Sequence, residues 1–134
     1  MADPQDGRQR IPALSPFEEE IGFTRAIRVG NTIAVSGTVG VEADGSVKES
    51  AEEQADRCFQ LIREHIEQLG GHMGDVVRIR MFVTDIADAM TVSAAFSRAL
   101  KSTRPTGTLV AISGLADPRW KVEIEADAII GSGQ

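Results

Sequence analysis

The chain has one cysteine, Cys58, and no tyrosine, and its aromatic residues are five Phe and one Trp among 134 positions. A lone cysteine excludes an intrachain disulfide and suits a reducing compartment, so the expected location is cytoplasmic. Positive charge is also short: 14 Lys and Arg stand against 20 Asp and Glu, for a net charge of −6. Such a balance lacks the basic, ring-interleaved surface that grips a phosphate backbone, so nucleic acid is not an expected partner. No apolar run approaches the roughly 18–20 residues that a membrane span needs, so no membrane partner is expected either. The opening Met1-Ala-Asp-Pro-Gln-Asp-Gly-Arg-Gln-Arg is too polar for a signal peptide. The two histidines, His65 and His72, are seven apart with no third ligand nearby, so neither a metal nor a cofactor is expected.

What is present is ordinary globular material, 42% hydrophobic and 25% charged, enough for one core. Residues 1–14 read as a disordered or extended tail that orders near Pro12, and residues 15–134 as a single domain. Phe23–Val29 and Thr32–Thr38 read as strands joined at Gly30-Asn31, a hairpin turn pair. Gly40–Val47 reads as a turn with a short strand. Ser50 and Glu53 form a capping-box pattern that opens a helix. Its stripe is Ala55, Cys58, Phe59, Ile62, Ile66 and Leu69, and Gly70-Gly71 ends it. Val76–Thr84 alternates as a strand. Asp85 or Asp88 caps a second helix, with Met90, Ala94, Phe96 and Leu100 as its apolar positions, up to the break at Pro105. Thr108–Ser113 and Lys121–Ile130 are the last strands. The order predicts an α+β layer: a mostly antiparallel sheet with two helices on one face.

Strand parity carries the functional argument. Ile33, Val35, Val77, Ile79, Met81, Val83, Val122, Ile124, Ala126 and Ala128 would face the helices. The opposite face would hold Thr32, Ala34, Ser36, Arg78, Arg80, Phe82, Glu123, Glu125 and Asp127. Two helices cover one side only, so that second face is either solvated or covered by another copy of the chain. Ala34, Ser36 and Phe82 favour self-association.

Three segments, in this order, resemble the RidA/YjgF family. They are Arg28-Val-Gly-Asn-Thr-Ile-Ala-Val-Ser-Gly-Thr, then Asp75-Val-Val-Arg-Ile-Arg-Met-Phe-Val-Thr-Asp, and then Pro105 through Leu115 to Val122-Glu-Ile-Glu-Ala-Asp-Ala. The resemblance spans roughly Phe23 to Ile130. It implies the fold of the Bacillus-type chorismate mutase and a homotrimer with clefts between subunits. It also implies hydrolysis of reactive enamines and imines to 2-keto acids and ammonia, without a cofactor.

Family site residues transfer unevenly. The glutamate that positions or activates water matches Glu123, and the Ser-Gly pair matches Ser36 and Gly37. The tyrosine position falls on Phe23, which keeps the ring and loses the hydroxyl. A commonly polar helix position falls on Ser93. The carboxylate-gripping arginine, two residues past the signature proline, falls on Gly107. With that fork absent, backbone N–H groups at Gly107 and Thr108 are the remaining local donors. Arg104, Arg25, Arg28, Arg78 and Arg80 are other sources of positive charge, and Arg104, preceding a proline, should be extended. The resemblance therefore implies a RidA-like deaminase with an altered small-molecule substrate. The alternative is a non-catalytic, ligand-binding or regulatory trimer. The family's older endoribonuclease label fits poorly with the acidic balance. Beside Arg78 and Arg80, Glu123 reads either as the catalytic carboxylate or as one half of a structural ion pair.

Overall fold

In the computed structural model, which describes residues 6–133, the strands are β1 (Gln9–Ile11), β2 (Ala26–Val29), β3 (Thr32–Val39), β4 (Val76–Val83), β5 (Thr106–Ala111) and β6 (Val122–Ile129). The helices are α1 (Pro16–Ile21), α2 (Ala51–Gln68) and α3 (Ala89–Leu100), with 3-10 turns at Met73–Asp75 and Ile86–Asp88. The strands form one mixed sheet in the order β1-β2-β3-β6-β4-β5. Only β4 and β5 run parallel, joined through α3, and every other pairing is antiparallel. The α+β class and the largely antiparallel sheet are as expected.

The helix α2 packs one apolar stripe on β3 and β6. Ala55, Cys58, Phe59, Ile62 and Ile66 are all buried. Its core partners are Ile33 and Val35 of β3, Ile79, Met81 and Val83 of β4, and Val122, Ile124, Ala126 and Ala128 of β6. Phe59 and Phe96 meet edge to face at 6.2 Å, tying α2 to α3. At the hairpin, Val29 pairs with Thr32 and Gly30 adopts φ +60°, which a two-residue turn requires at its first central residue. Gly70 closes α2 at φ +93°.

Several expectations need correction. Among the described residues there are three α-helices, not two: α1 begins at Pro16 behind a Ser15 cap and buries none of its side chains. The sheet starts inside the expected tail, because Gln9–Ile11 pairs with β2; residues 1–5 of that tail lie outside the described residues. Strand β2 starts at Ala26 rather than Phe23, since α1 and its left-handed Gly22 occupy the approach. Gly40–Val47 contributes only an isolated Val41–Val47 bridge. A register shift between Val76 and Arg78 turns Val76 into the core and leaves Val77 half-exposed. Ser50 caps α2 through the Glu53 N–H, but its own hydroxyl, not its backbone N–H, meets the Glu53 carboxylate. Asp85 caps the 3-10 turn, Asp88 makes no side-chain cap, and Met90 is exposed, while Val92 and Ala95 face the core. Arg104 is not extended: it takes φ +56° and closes α3 by donating its N–H to the Leu100 carbonyl. That helix-ending bond outweighs the bias a following proline imposes.

Candidate functional site

The site is built by an irregularity in β3. Val35 pairs with Ala126 but Thr38 pairs with Ile124, so Ser36 and Gly37 share the space of one residue. Such a bulge re-aims side chains. Thr38 turns into the core, where the Cys58 thiol donates to its carbonyl at 3.2 Å. Burial pushes that thiol far above its usual range and leaves it inert. On the other side, Gly37 lies directly beneath Glu123. A Cβ on Gly37 would stand 2.8 Å from the Glu123 Cδ and 2.9 Å from Oε1. A side chain here would have to push the carboxylate away, so glycine keeps this place open.

Glu123 projects from β6 between Val122 and Ile124, both buried. Its carboxylate is half-buried and makes no hydrogen bond or ion pair with another described residue. The nearby strand arginines are engaged elsewhere: Arg80 meets Glu125 at 2.9 Å, and Arg78 lies 3.7 Å from Asp127. The structural ion pair considered for Glu123 does not form among the described residues. Burial raises its pKa, Arg25 opposes that rise, and the like charge of Glu125 adds to it; the net direction is upward.

Arg25 sits next to this carboxylate on the Gly37 side. Its Nη2 donates to the Gly37 carbonyl and its Nη1 lies 3.4 Å from Glu18 Oε2. The Phe23 ring covers it, with the guanidinium carbon 5.9 Å from the ring centroid. The Ser36 hydroxyl donates to the Thr24 carbonyl at 2.6 Å and its N–H to the Arg25 carbonyl at 2.9 Å. Ser36 thus holds Phe23-Thr24-Arg25 against the bulge, and with its proton committed it is no nucleophile. Behind α2's buried face, His65 has an unpartnered Nδ1. Burial first, and Arg25 second, lower its pKa, so it stays neutral.

Phe23, Ser36, Gly37 and Glu123 therefore come together. Ser93, Gly107 and Thr108 do not join them within one chain. Glu123 shares its row with Phe82, whereas Gly107 is opposite Ile79, two strands across and three residues along. That is about 10 Å in each direction. Gly107 also faces the helices, where a Cβ would meet the Phe96 ring at 3.7 Å. Thr108 lies on the open sheet face opposite Arg80, and Ser93 is half-buried on α3. Sequence reasoning missed Glu18, because a six-residue helix with no buried side chain leaves no periodic signal. Arg25 stood out only as one strand arginine among several. Among the described residues, no group of three His, Cys, Asp or Glu side chains is placed to hold a metal ion.

Comparison with known proteins agrees with this architecture. The profile of the Endoribonuclease L-PSP family matches residues 15–130. The 2-iminobutanoate/2-iminopropanoate deaminase of Salmonella typhimurium is 30% identical over 111 residues, covering 80% of this chain and 86% of that one. A crystal structure of a YjgF/YER057c/UK114 family member from Mycobacterium tuberculosis superposes with a TM-score of 0.84 at 32% identity, over 92% of this chain and 99% of that one. RidA from an Antarctic Psychrobacter gives 0.79 at 28% identity, over 90% of this chain and 94% of that one. With a family profile matched over most of its length and these relatives on the same fold, the chain belongs to the RidA/YjgF, or Endoribonuclease L-PSP, family.

Proposed function

We propose that the protein is a RidA-type hydrolase that converts a reactive imine or enamine, or a related small carbonyl metabolite, in a cleft completed by a second copy within a homotrimer. One observation carries this reading: Glu123 is a half-buried carboxylate with no ion pair, held over a glycine that leaves it room. A strand carboxylate kept for structure alone would be paired or fully wetted. Its raised pKa, caused first by burial, makes it a better base than a fully wetted glutamate. In the proposed reaction Glu123 takes a proton from water as the oxygen adds to the C=N carbon. The resulting carbinolamine nitrogen is protonated and leaves as ammonia, and the carbonyl remains. No redox partner is needed, since water supplies both the oxygen and the protons.

Release of 2-keto acid and ammonia from imines generated in situ by a serine or threonine dehydratase tests the proposal. Glu123→Gln should lower the rate about 10²–10⁴-fold. Gly37→Ala should displace the carboxylate and lower the rate at least about tenfold. Because the clashing atoms belong to a flexible side-chain end, its stability should change little. Equal rates for wild type and Glu123→Gln would defeat the proposal. A second reading, a ligand-binding trimer without turnover, is favoured by Phe23 and Gly107, where the resemblance implies a tyrosine and an arginine. Ligand-induced thermal shifts with no ammonia release would select it.

A further inference from the structure

The Glu123 site contains one buried guanidinium to which hydrolysis, as described, assigns no task. Arg25 is only 6% exposed. Of its five N–H donors, Nη2 is committed to the Gly37 carbonyl, and Nη1 reaches Glu18 at 3.4 Å. A well-made charge-assisted bond is about 2.7–2.9 Å long, so the Glu18 contact is loose. Glu18 belongs to α1, none of whose side chains is buried, and α1 and its flank leave Leu14, Phe17 and Ile21 open to solvent. What covers Arg25 is thus the ring of Phe23 and the Glu18 carboxylate, which meets the guanidinium only loosely while its other oxygen accepts from the Leu14 N–H at 3.2 Å.

We infer that Arg25 is the carboxylate-binding group of this site, and that Glu18 occupies its place until a ligand carboxylate displaces it. The inference deepens the proposed function and rests on Glu123 facing a small carbonyl ligand. The guanidinium and the Glu123 carboxylate lie against the same residue, one at the Gly37 carbonyl and the other over its Cα, yet they do not pair with each other. In a 2-imino or 2-keto acid the carboxylate is bonded directly to the reacting carbon, so anion binder and base must stand within a few ångströms of each other. The span of Gly37 provides that separation. Other arginines are poorly placed. Gly107 has no charge and faces the helices. Arg78 and Arg80 are engaged by Asp127 and Glu125, and Arg28 donates to the Gly30 and Leu69 carbonyls. Arg104 lines a groove with Val77, Thr106 and Gly133, at the far end of the sheet from Glu123.

The test is calorimetric binding of 2-oxobutanoate, with the uncharged 2-oxobutanamide as control, to the full-length protein. Glu18→Gln, on an exposed helix, should tighten 2-oxobutanoate about threefold or more, because the competing carboxylate is gone. Arg25→Lys should weaken it about tenfold or more, since a point charge cannot replace a fork. The amide should bind weakly and without regard to Glu18. A purely structural Arg25 would leave the Glu18→Gln affinity unmoved, so that variant alone decides if Arg25→Lys fails to fold. Wild-type affinity in Glu18→Gln, or no binding of 2-oxobutanoate to the wild type, overturns the inference. If the binding pattern holds but no ammonia is released from any imine, hydrolysis fails and the Arg25 assignment stands.

Discussion

Glu123 leaves a signature in stability as well as in chemistry. Burial raises its folded-state pKa, with Arg25 opposing and Glu125 reinforcing, so its charged form is less favourable folded than unfolded. The sign follows from linkage: below the ordinary glutamate range, near pH 4.3, the residue is protonated in both states and costs nothing. As pH rises through the raised folded value, the unfolded chain ionises first and stability falls. Glu123→Gln should therefore be more stable than wild type at pH 7, at the lower end of about 0.5–2 kcal/mol, since the carboxylate is still partly wetted. The gap should close below pH 4. Melting curves at the two pH values check this, and a variant less stable than wild type at pH 7 contradicts it. Residue identity at this scale was partly legible in the chain. The alternation of Val122, Glu123, Ile124 and Glu125 placed Glu123 on the open face. Its neighbour Arg25 was not singled out, because their proximity arises across a bulge between residues 98 positions apart.

Elements with strong periodicity were readable, and those that depend on a single extra residue were not. The helix α2 announced itself through its apolar stripe and its Ser50 cap, and both stand in the structure. Strand faces followed parity as far as each bulge and no further: Val76 and Thr38 are buried where alternation alone would have chosen their neighbours. Neither bulge carries a mark that separates it from continuous alternation. The short β1 and α1 are too brief for a period to show, and α1 buries nothing. Past the β3 bulge the strand runs close beneath α2, and Gly40 is what lets it pass. A Cβ there would lie 2.5 Å from the Gln54 carbonyl oxygen and 2.9 Å from its Cα. These are backbone atoms of a packed helix and cannot swing aside. Gly40→Ala should thus cost about 1–3 kcal/mol, lowering the urea midpoint with an unchanged slope. It should also loosen the buried Gln54 side chain, which bonds Lys48, Arg119 and Lys121. A midpoint equal to wild type would show that α2 can shift away from β3.

For the whole molecule, the decisive feature is a sheet covered on one side only. Both long helices lie on the face of Ile33, Ile79 and Ile124, and among the described residues neither covers the opposite face. That open face carries Ala34, Ser36 and Phe82 together with the Arg80–Glu125 and Arg78–Asp127 pairs. A shallow cavity of about 230 Å³ lies there, lined by Thr24, Ile27, Ala34, Ser36, Glu125 and Asp127. Small side chains let another backbone approach, and charge pairs already matched within the chain can be buried without leaving an orphan. The Glu123 site opens beside this face, so association would also finish the cleft and exclude water from it. Ala34 is the place to interrupt it, being exposed and directly opposite Asp127 in the register. Ala34→Glu adds a second carboxylate beside Asp127, at little cost to a free chain whose face is wet. In a trimer packed on this face it would bury an unpaired charge, which is destabilising by about 3–5 kcal/mol per site. Light scattering behind size exclusion should find wild type as a trimer and Ala34→Glu as a folded monomer with depressed imine hydrolysis. A trimer that persists in Ala34→Glu would move the interface off this face and remove the second copy from the site.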